Sequence, residues 1–416
     1  MASGGGRVRV RSLSSGIVLT ALVGTALAWG GSPAAAVAPA DAAGNSRESV
    51  IATYQSTLLP ALAVRNDWTG SIAGCVPGTT GTAYQGATLT AINYVRGLAG
   101  LTPVTLDPAA NRTAQAAALI MEAEGNISHF PPSTWPCYTA DGADAAAHAN
   151  LAFGSSGARA IVGYMRDDGD NNAVVGHRRW LINPGAISFG TGDTKRSNVL
   201  VVFGGEFAPV LPSFVPWPTA GSFPWQLEPL GRWSLGRIDG DFSAATVTMT
   251  AAGKDIPVTV TPPRNGMGDN TVSWEAVLPK PVSATHPADL LVSVSVAGIQ
   301  LSDGSTVTHA YDVNLVDAAP RTAPGRVPKL TGKWSGTEVR LAWLPPTDDG
   351  GSAIKDYVLL ISPLRAGAAK SYRCTTATLQ CRFPNLNPKV RYRLTIVARN
   401  AVGAGAVRTY ELGAPA

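Results

Sequence analysis

The second half of the chain contains a series of short segments in which apolar and polar residues alternate. TVTMTA at 246–251 and NTVSWEAVL at 270–278 are examples, and Gly-, Pro- and Asp-containing turns separate such segments. This alternation is typical of strands that bury one face, because successive side chains of a strand point to opposite faces. Strands spaced so closely predict antiparallel sheets, and we expect a β-sandwich of roughly one hundred residues over 206–317.

The chain is long enough to build several hydrophobic cores. It has 416 residues, of which 45% are hydrophobic and 15% charged. A single core stops growing at about 250–300 residues, so two or three domains are expected. The apolar content argues against disorder, since it can offset the loss of chain entropy on folding. A Pro-rich segment at 318–328 predicts a linker before a last domain over 329–414.

The first 42 residues have the layout of a secretory signal peptide. Three arginines between positions 7 and 11 precede an apolar run at 16–29, and small residues follow. Cleavage after Ala38 or after Ala42 fits this pattern. The alternative is an uncleaved membrane anchor, for which the apolar run is short. We therefore predict a secreted, extracellular protein with no membrane span after signal cleavage.

The charge of the chain does not favour nucleic acid as a partner. The net charge of +5 falls to +3 on removal of 1–42, because that segment holds three Arg and one Asp. So small an excess, without a cluster of Lys and Arg, gives no basis for binding to a phosphate backbone.

Four cysteines in an exported chain are most simply two disulfides. Cys374 and Cys381 are close enough in sequence to bridge a hairpin. Cys75 and Cys137 would then pair and tie an early loop to the segment after His129. The other pairings would link distant regions across a predicted domain boundary. A zinc cluster of cysteines is not expected, because no Cys-x-x-Cys occurs.

The segment 46–205 has the apolar spacing of helices rather than strands. Apolar residues at helical spacing predict a helix over 46–62 and another over 158–165. Asp107 followed by Pro108 predicts a helix start, with an N-cap residue and a proline at the first helical position.

Two of the five histidines stand in short polar segments about fifty residues apart. They are SHFP at 128–131 and GHRRWLINP at 176–184. We expect a functional site to lie between them, and the alternative is a hydrogen-bonded pair that fixes the surrounding walls. In the second segment, Trp180 and Leu181 are expected to begin a core element. One of the two arginines before them is expected to pair with Asp167 or Asp168, and the other to meet water.

Several segments together resemble the bacterial branch of the CAP superfamily, which comprises cysteine-rich secretory, antigen 5 and pathogenesis-related-1 (SCP-like) domains. In chain order they are NYVRGLAGLTPVTLD, SHFP, NLAFG, and GHRRWLINP followed by SFGTG. The resemblance covers roughly 46–205. It implies a three-layer α-β-α sandwich with a cleft that is typically floored by two His and two acidic residues.

The resemblance assigns the cleft residues only in part. It places the two histidines at His129 and His177. The first acidic position falls on Ala149 in HANLAFG, and the second falls near Asp167, with Asp168 beside it. His148, next to the altered position, could compensate or could face solvent. We therefore predict a binding cleft with these members: His129, His148, Asp167, Asp168 and His177.

A zinc ion is the one cofactor that this set suggests. Two neutral imidazoles and a carboxylate, His129, His177 and Asp167, could hold zinc with an open position that activates water. The missing carboxylate at Ala149 weakens that prediction, because it removes negative charge that favours the metal.

The last domain resembles a fibronectin type III module. VRLAWLPPTDDGGSAIKDYVLLI and YRLTIVARNAVGAG carry the resemblance, which covers about 324–412. It implies that Trp343 is a core residue of an early strand and that Leu386 with Tyr392 forms a tyrosine corner. The predicted fold class is therefore multidomain: a CAP-like α/β domain, then an Ig-like β-sandwich with a Pro- and Trp-rich start, and then a fibronectin type III sandwich.

Three functions fit these observations. The first is a non-catalytic extracellular binding protein whose cleft takes a small ligand or, as the CAP resemblance implies, a lipid-like one. The second is a metal-assisted hydrolase that uses His129, His177 and Asp167. The third is adhesion to a cell wall or an extracellular protein through the β domains. The residues leave enzymatic activity undecided and favour the first function.

Overall fold

The structure, a computed structural model, describes residues 45–205, 207–264, 266–280, 286–365, 367 and 369–413. The predicted signal peptide at 1–42 lies outside these residues. Within the described ranges, no helix is both long enough and apolar enough to cross a membrane.

The first part of the chain is helical with one small sheet. Its helices are α1 (Arg47–Thr53), α2 (Leu59–Ala63), α3 (Thr82–Leu98), α4 (Pro108–Glu124), α5 (Ala140–Ala147), α6 (Gly157–Arg166) and α7 (Gly176–Leu181). A π-helical turn, Tyr54–Leu58, joins α1 to α2, so the predicted first helix is present with this irregularity. The strands are β1 (Thr105–Leu106), β2 (Ala149–Phe153), β3 (Ser188–Asp193) and β4 (Ser197–Val201).

The predicted start of α4 is confirmed. Asp107 has extended backbone, and its Oδ1 accepts a 2.7 Å hydrogen bond from Ala110 N, while Pro108 is the first helical residue. The helix ends at Gly125, which has a left-handed φ of 76° and donates its N–H to Met121 O. Glycine adopts that conformation without the strain that a Cβ would add.

The small sheet has the strand order β1-β3-β4-β2, with β1 parallel to β3 and the other pairs antiparallel. Successive side chains of β4 join different hydrophobic clusters. Val199 packs with α4 and α5, whereas Leu200 belongs to the cluster that contains α3 and α6. Helices therefore supply the apolar partners of both sets of strand side chains.

The middle part is built from two sheets. Its strands are β5 (Val215–Trp217), β6 (Gly221–Pro224), β7 (Arg232–Gly236), β8 (Gly240–Asp241), β9 (Thr246–Ala251), β10 (Lys254–Asp255), β11 (Val258–Thr261), β12 (Thr271–Ala276), β13 (Leu290–Leu301) and β14 (Thr306–Val316). One sheet has the order β10-β9-β13-β14-β6, with β8 also on β13, and the other has the order β11-β12-β7-β5. The alternating segments of the sequence supply most of these strands.

The first two parts share one hydrophobic core. A single cluster of buried residues contains Val95 of α3 and Ile161 of α6 together with Trp217, Trp233 and Trp274 of the sheets. All three tryptophans have 0% exposure. Trp217 and Trp233 of the Pro- and Trp-rich stretch are therefore part of this core. Residues from before and after the predicted boundary at 205/206 therefore pack in the same apolar cluster.

The last part has a core of its own. Its strands are β15 (Leu330–Ser335), β16 (Glu338–Trp343), β17 (Asp356–Pro363), β18 (Tyr372–Thr376), β19 (Gln380–Phe383), β20 (Tyr392–Arg399) and β21 (Arg408–Leu412). Trp343, Leu386 and Tyr392 are buried in a separate cluster. Tyr392 Oη accepts a 3.0 Å hydrogen bond from Asn387 N, which is the predicted tyrosine corner.

Both predicted disulfides are present, but one bridges a different element from the one expected. Cys75 pairs with Cys137, and Cys374 pairs with Cys381. The second bridge does not close a hairpin. It joins β18, which pairs with β17, to β19, which pairs with β16 in the other sheet. The short connection between the two cysteines passes from one sheet to the other, and the bridge fastens the two sheets together.

The predicted linker at 318–328 is docked rather than free. Thr322 N donates to Gly350 O at 2.9 Å, and Gly325 N donates to Asp348 O at 2.8 Å. Val327 is fully buried in the core of the last part. Asp317 anchors the segment at its start, since its Oδ1 accepts from Gln226 Nε2 and from Ala319 N.

Candidate functional site

Asp167 and His177 form a tightly held pair at the end of α6. His177 Nδ1 lies 2.6 Å from Asp167 Oδ1, and the side chains are 22% and 0% exposed, respectively. The other carboxylate oxygen of Asp167 accepts from Arg178 N at 3.0 Å. Because a carboxylate only accepts, Nδ1 of His177 carries the hydrogen and Nε2 keeps its lone pair when the ring is neutral.

Tyr164 and Asn150 also make contacts with His177. The Tyr164 ring stacks on it, with centroids 5.3 Å apart and an angle of 27°. The Tyr164 hydroxyl donates to Asn198 Oδ1 at 2.8 Å, and burial raises the pKa of Tyr164 well above its ordinary value. Asn150 Nδ2 donates to His177 O at 3.0 Å. Nε2 of His177 has no hydrogen-bond partner among the described residues.

The two arginines after His177 overturn a prediction. Arg178 and Arg179 are 0% and 3% exposed, so neither meets water. The Arg178 guanidinium donates to Met165 O and also reaches the sandwich, at Arg232 O and Ser234 Oγ. The Arg179 guanidinium donates to Asp269 O and Arg264 O. Burial lowers the pKa of each to about 10. They join the α/β part to the sandwich.

His129 is placed differently from His177. Its ring is exposed, and its Nδ1 lies 3.0 Å from Ala146 O at the end of α5. The following residue, Phe130, is 80% exposed. Ala149, at the position where the family typically has an acidic residue, is buried at the start of β2. Asp168 is exposed and points to no partner side chain in the described chain.

The structure does not assemble the metal site suggested by the sequence. Among the described residues, no group of three or more His, Cys, Asp or Glu side chains is placed to hold a metal ion. Asp167 and His177 are in contact, but both oxygens of Asp167 are already engaged. His129 makes its ring contact with Ala146 instead. The three predicted metal ligands are therefore not one set: Asp167 and His177 form a pair, and His129 lies apart from them.

A cavity in this part of the chain lies beside His148. It has a volume of about 520 Å³, and neither His129 nor His177 is among its lining residues. Its apolar wall consists of Ile187, Phe189, Phe203 and Phe207. The remaining lining residues are Asp107, Ala110, Thr113, Asp144, Ala145, His148, Ser188, Gly190, Val201, Val202, Gly204 and Gly205.

Aromatic contacts build one side of this cavity. The His148 ring meets Phe203 edge-on, with centroids 5.0 Å apart. Trp180 also stacks on Phe203, with centroids 4.7 Å apart, and its ring lies 6.5 Å from that of Phe207. Phe203 and Phe207 were not predicted as site residues, because the apolar run that ends at Phe203 has the pattern of a buried strand. Two glycines between these rings were the only sequence signal for an opening.

Comparison with known families assigns two parts of the chain. Residues 89–205 match the model of the cysteine-rich secretory protein family (CAP), and residues 323–411 match the model of the fibronectin type III domain. The chain contains a CAP domain and a fibronectin type III domain. The cavity beside His148 and the Asp167–His177 pair both fall within the CAP match, apart from Phe207 at the cavity's edge.

The curated relatives are much longer animal proteins. The chain is 29% identical over 104 residues to the cell adhesion molecule DSCAML1 of Gallus gallus, which is 25% of this chain and 5% of the relative. It is 33% identical over 85 residues to the human cell adhesion molecule DSCAM, a match that covers 20% of this chain and 4% of the relative. It is 30% identical over 107 residues to human fibronectin type-III domain-containing protein 3A, a match that covers 25% of this chain and 9% of the relative. The chain thus spans less than a tenth of the length of these relatives.

Solved structures give a partial likeness. A solution structure of a human FNIII domain is 28% identical, with 23% of this chain and 82% of that chain covered and a TM-score of 0.21. The titin kinase with its flanking domains is 22% identical, with 22% of this chain and 17% of that chain covered and a TM-score of 0.20. Scores of this size support no conclusion about the chain as a whole.

Proposed function

We propose that this chain is an extracellular binding protein that holds a small ligand in the CAP-domain cavity beside His148. The observation that carries the proposal is the cavity itself. Its volume of about 520 Å³ falls within the range of ligand pockets, and its wall combines phenyl rings with a few polar groups. Of the predicted cleft residues, only His148 lines it, and it is the one we assign to ligand contact.

An extracellular location is supported by the disulfides. All four cysteines are paired, and no free cysteine remains among the described residues. Such bonds persist in oxidising compartments and are rare in the cytosol. The signal-like segment at 1–42 agrees with export.

We also propose the finer architecture that the sequence suggested. In this proposal, 46–205 form a three-layer α-β-α domain of the bacterial CAP type, followed by a sandwich at 206–317, a linker at 318–328 and a fibronectin type III domain at 329–414. The division of β4 side chains between two helical clusters supports the three layers.

A cavity-filling variant tests the binding proposal. Thr113 lines the cavity, is half-buried on α4, and bonds its hydroxyl to Ala110 O. Thr90 is half-buried on α3, bonds its hydroxyl to Gly86 O, and lies away from the cavity. Thr113→Phe should abolish calorimetric binding of a sterol, fatty-acid or amphipathic amine probe, whereas Thr90→Phe should leave it intact. Heat absent for every probe with the unaltered protein would end the proposal.

Adhesion through the last domain is a second candidate. Relatives that are named cell adhesion molecules favour it, and the separate core of this domain makes it testable. Removal of 323–413 should abolish attachment of the protein to a cell surface while ligand binding in the CAP domain persists. Attachment that is unchanged after this removal would contradict the adhesive role.

A further inference from the structure

Apart from His148, the ionisable side chains that line this cavity are acidic. They include two carboxylates, Asp107 and Asp144, and no Lys or Arg is present among these lining residues, all of which are described. The Asp144 side chain is 79% exposed, and Asp107 is exposed as well. The hydroxyl groups among the lining side chains are those of Thr113 and Ser188, and Thr113 already donates to Ala110 O.

The histidine of the cavity adds another acceptor. His148 Nδ1 lies 2.7 Å from Asp144 O. A backbone carbonyl only accepts, so Nδ1 carries the hydrogen, and Nε2 of the neutral ring has a free lone pair. Nε2 has no hydrogen-bond partner in the described parts of the chain. The polar side of the cavity therefore presents two carboxylates and an imidazole nitrogen, all of which accept.

Much of the remaining lining is apolar, and part of it adjoins the histidine. Ile187 and Phe207 are each 41% exposed, and Phe203 contacts both His148 and Trp180. Phenyl faces attract a cation electrostatically as well as excluding water from an apolar group. An occupant that satisfies both kinds of lining needs hydrogen-bond donors or positive charge at one end and an apolar body at the other.

We propose that the cavity binds a small organic amine in its ammonium form, with the ammonium at Asp107, Asp144 and His148 and the apolar body on the phenyl rings. An ammonium supplies three donors and no acceptor, which complements this lining. A carboxylate ligand of the same shape would meet two like charges. The proposal rests on the proposed function, because it concerns the same cavity, and it narrows the class of ligand.

A set of three probes with one apolar body tests the charge preference. The probes are 4-phenylbutylamine, 4-phenylbutanol and 4-phenylbutanoate, titrated calorimetrically into the full chain at pH 7.4 and low salt. We expect the amine to bind at least about tenfold more tightly than the carboxylate, with the alcohol between them. The difference should shrink in about 0.5 M salt, because the carboxylates are exposed. Carboxylate binding as tight as amine binding would overturn the proposal.

Isosteric variants assign the preference to residues. Asp144→Asn and Asp107→Asn keep size, and Asn caps a helix about as well as Asp, so α4 keeps its N-cap. Each should weaken amine binding several-fold while the alcohol affinity stays the same, and the double variant should remove the preference. Asp141→Asn, on the exposed first turn of α5 and outside the cavity, should change nothing. An unchanged preference in the double variant would also contradict the proposal.

Failure of the amine proposal is distinguishable from failure of the proposed function. If the three probes bind equally and Thr113→Phe abolishes all of them, the cavity is a ligand site without a charge preference, and only the amine inference is wrong. If none of the probes binds and the sterol and fatty-acid titrations are also without heat, the proposed function and the inference fail together.

Discussion

The carboxylate of Asp167 is fully buried and accepts a 2.6 Å hydrogen bond from His177, whose imidazole reaches the surface. Asp167 has a left-handed backbone conformation, φ 54°, at the end of α6. Asp and Asn adopt that conformation more readily than other non-glycine residues. The turn after α6 therefore fixes the carboxylate, and the carboxylate fixes the tautomer of the histidine. Such a pair can orient a base, but no described hydroxyl or thiol is hydrogen-bonded to Nε2.

Replacement of Asp167 should destabilise the protein strongly. Asp167→Ala leaves His177 Nδ1–H and Arg178 N–H without acceptors and places Ala in left-handed backbone. We expect a loss of about 2–4 kcal/mol in the free energy of unfolding, measured in urea. Asp167→Asn should lose about 1 kcal/mol, because one acceptor and the backbone preference remain. Asp168→Asn, at an exposed position, serves as the control, and a loss as large as that of Asp167→Ala would show that the buried bonds are not the cause.

The buried carboxylate of Asp193 should make stability depend on pH. Burial raises its pKa to about 6, although Gly157 N, Asn198 Nδ2 and Thr191 Oγ1 donate to it. The folded state then binds a proton more readily than the unfolded chain. Stability from this group is highest below about pH 4, falls as the pH rises to about 6, and is level above that, with a total change of at most about 3 kcal/mol.

Asp193→Asn should remove that part of the decline. The free energy of unfolding of both proteins is measured at pH 4, 5, 6 and 7, and the difference between them isolates Asp193. Asp269 also has a pKa that burial raises to about 6, so Asp269→Asn is measured beside it. An equally steep decline in Asp193→Asn and in the unaltered protein would show that this carboxylate does not titrate in that range.

Two glycines of α6 should respond in opposite directions to alanine. A Cβ on Gly157, which has φ 56°, would lie 2.5 Å from Cζ and from the hydroxyl oxygen of Tyr84, whereas a Cβ on Gly163 meets nothing within 4 Å. Gly157→Ala should cost roughly 2–4 kcal/mol through the clash and the backbone strain. Gly163→Ala, at an exposed helical position, should gain about 0.5–1 kcal/mol from helix propensity. Equal effects in thermal or urea unfolding would contradict the packing of α6 on Tyr84.

Arg178 should be irreplaceable by lysine. Its guanidinium donates to Met165 O, Arg166 O, Arg232 O and Ser234 Oγ, and a single ammonium cannot span these acceptors. We expect Arg178→Lys to cost about 2–4 kcal/mol, because buried acceptors lose their donors.

The control for this variant comes from the same region. Arg159→Lys, at an exposed position of α6, should change stability by less than about 0.5 kcal/mol. Two separate unfolding transitions in Arg178→Lys would show that this arginine couples the CAP domain to the sandwich. A variant as stable as the unaltered protein would contradict that role.

Local signals in the sequence were sufficient for much of the fold. Asp107 and Pro108 determine the start of α4 through a hydrogen bond and a fixed dihedral that involve only neighbouring residues. The strands of the sandwich follow from a period of two, and the tyrosine corner of Tyr392 joins residues only five apart. In each case the physical cause lies within a short stretch of chain.

The remaining features depend on distant residues. One of Arg178 and Arg179 was expected to meet water, but both guanidinium groups reach acceptors in the sandwich, 54–90 residues later in the chain. Cys374 and Cys381 were expected in a hairpin, and the pairing of β18 and β19 with different partners decides otherwise. The cavity forms because the fold brings His148 close to Phe203 and Phe207. The spacing of apolar residues in the sequence does not predict that arrangement.

The apolar interior that runs from α3 to Trp217 makes the CAP domain and the sandwich a single inheritance unit. A cut at residue 205 would leave each fragment with a large exposed apolar surface. Gene rearrangements that separate the two parts would therefore yield products prone to aggregate. The fibronectin type III domain has an interior of its own, so its exchange would not open the larger core.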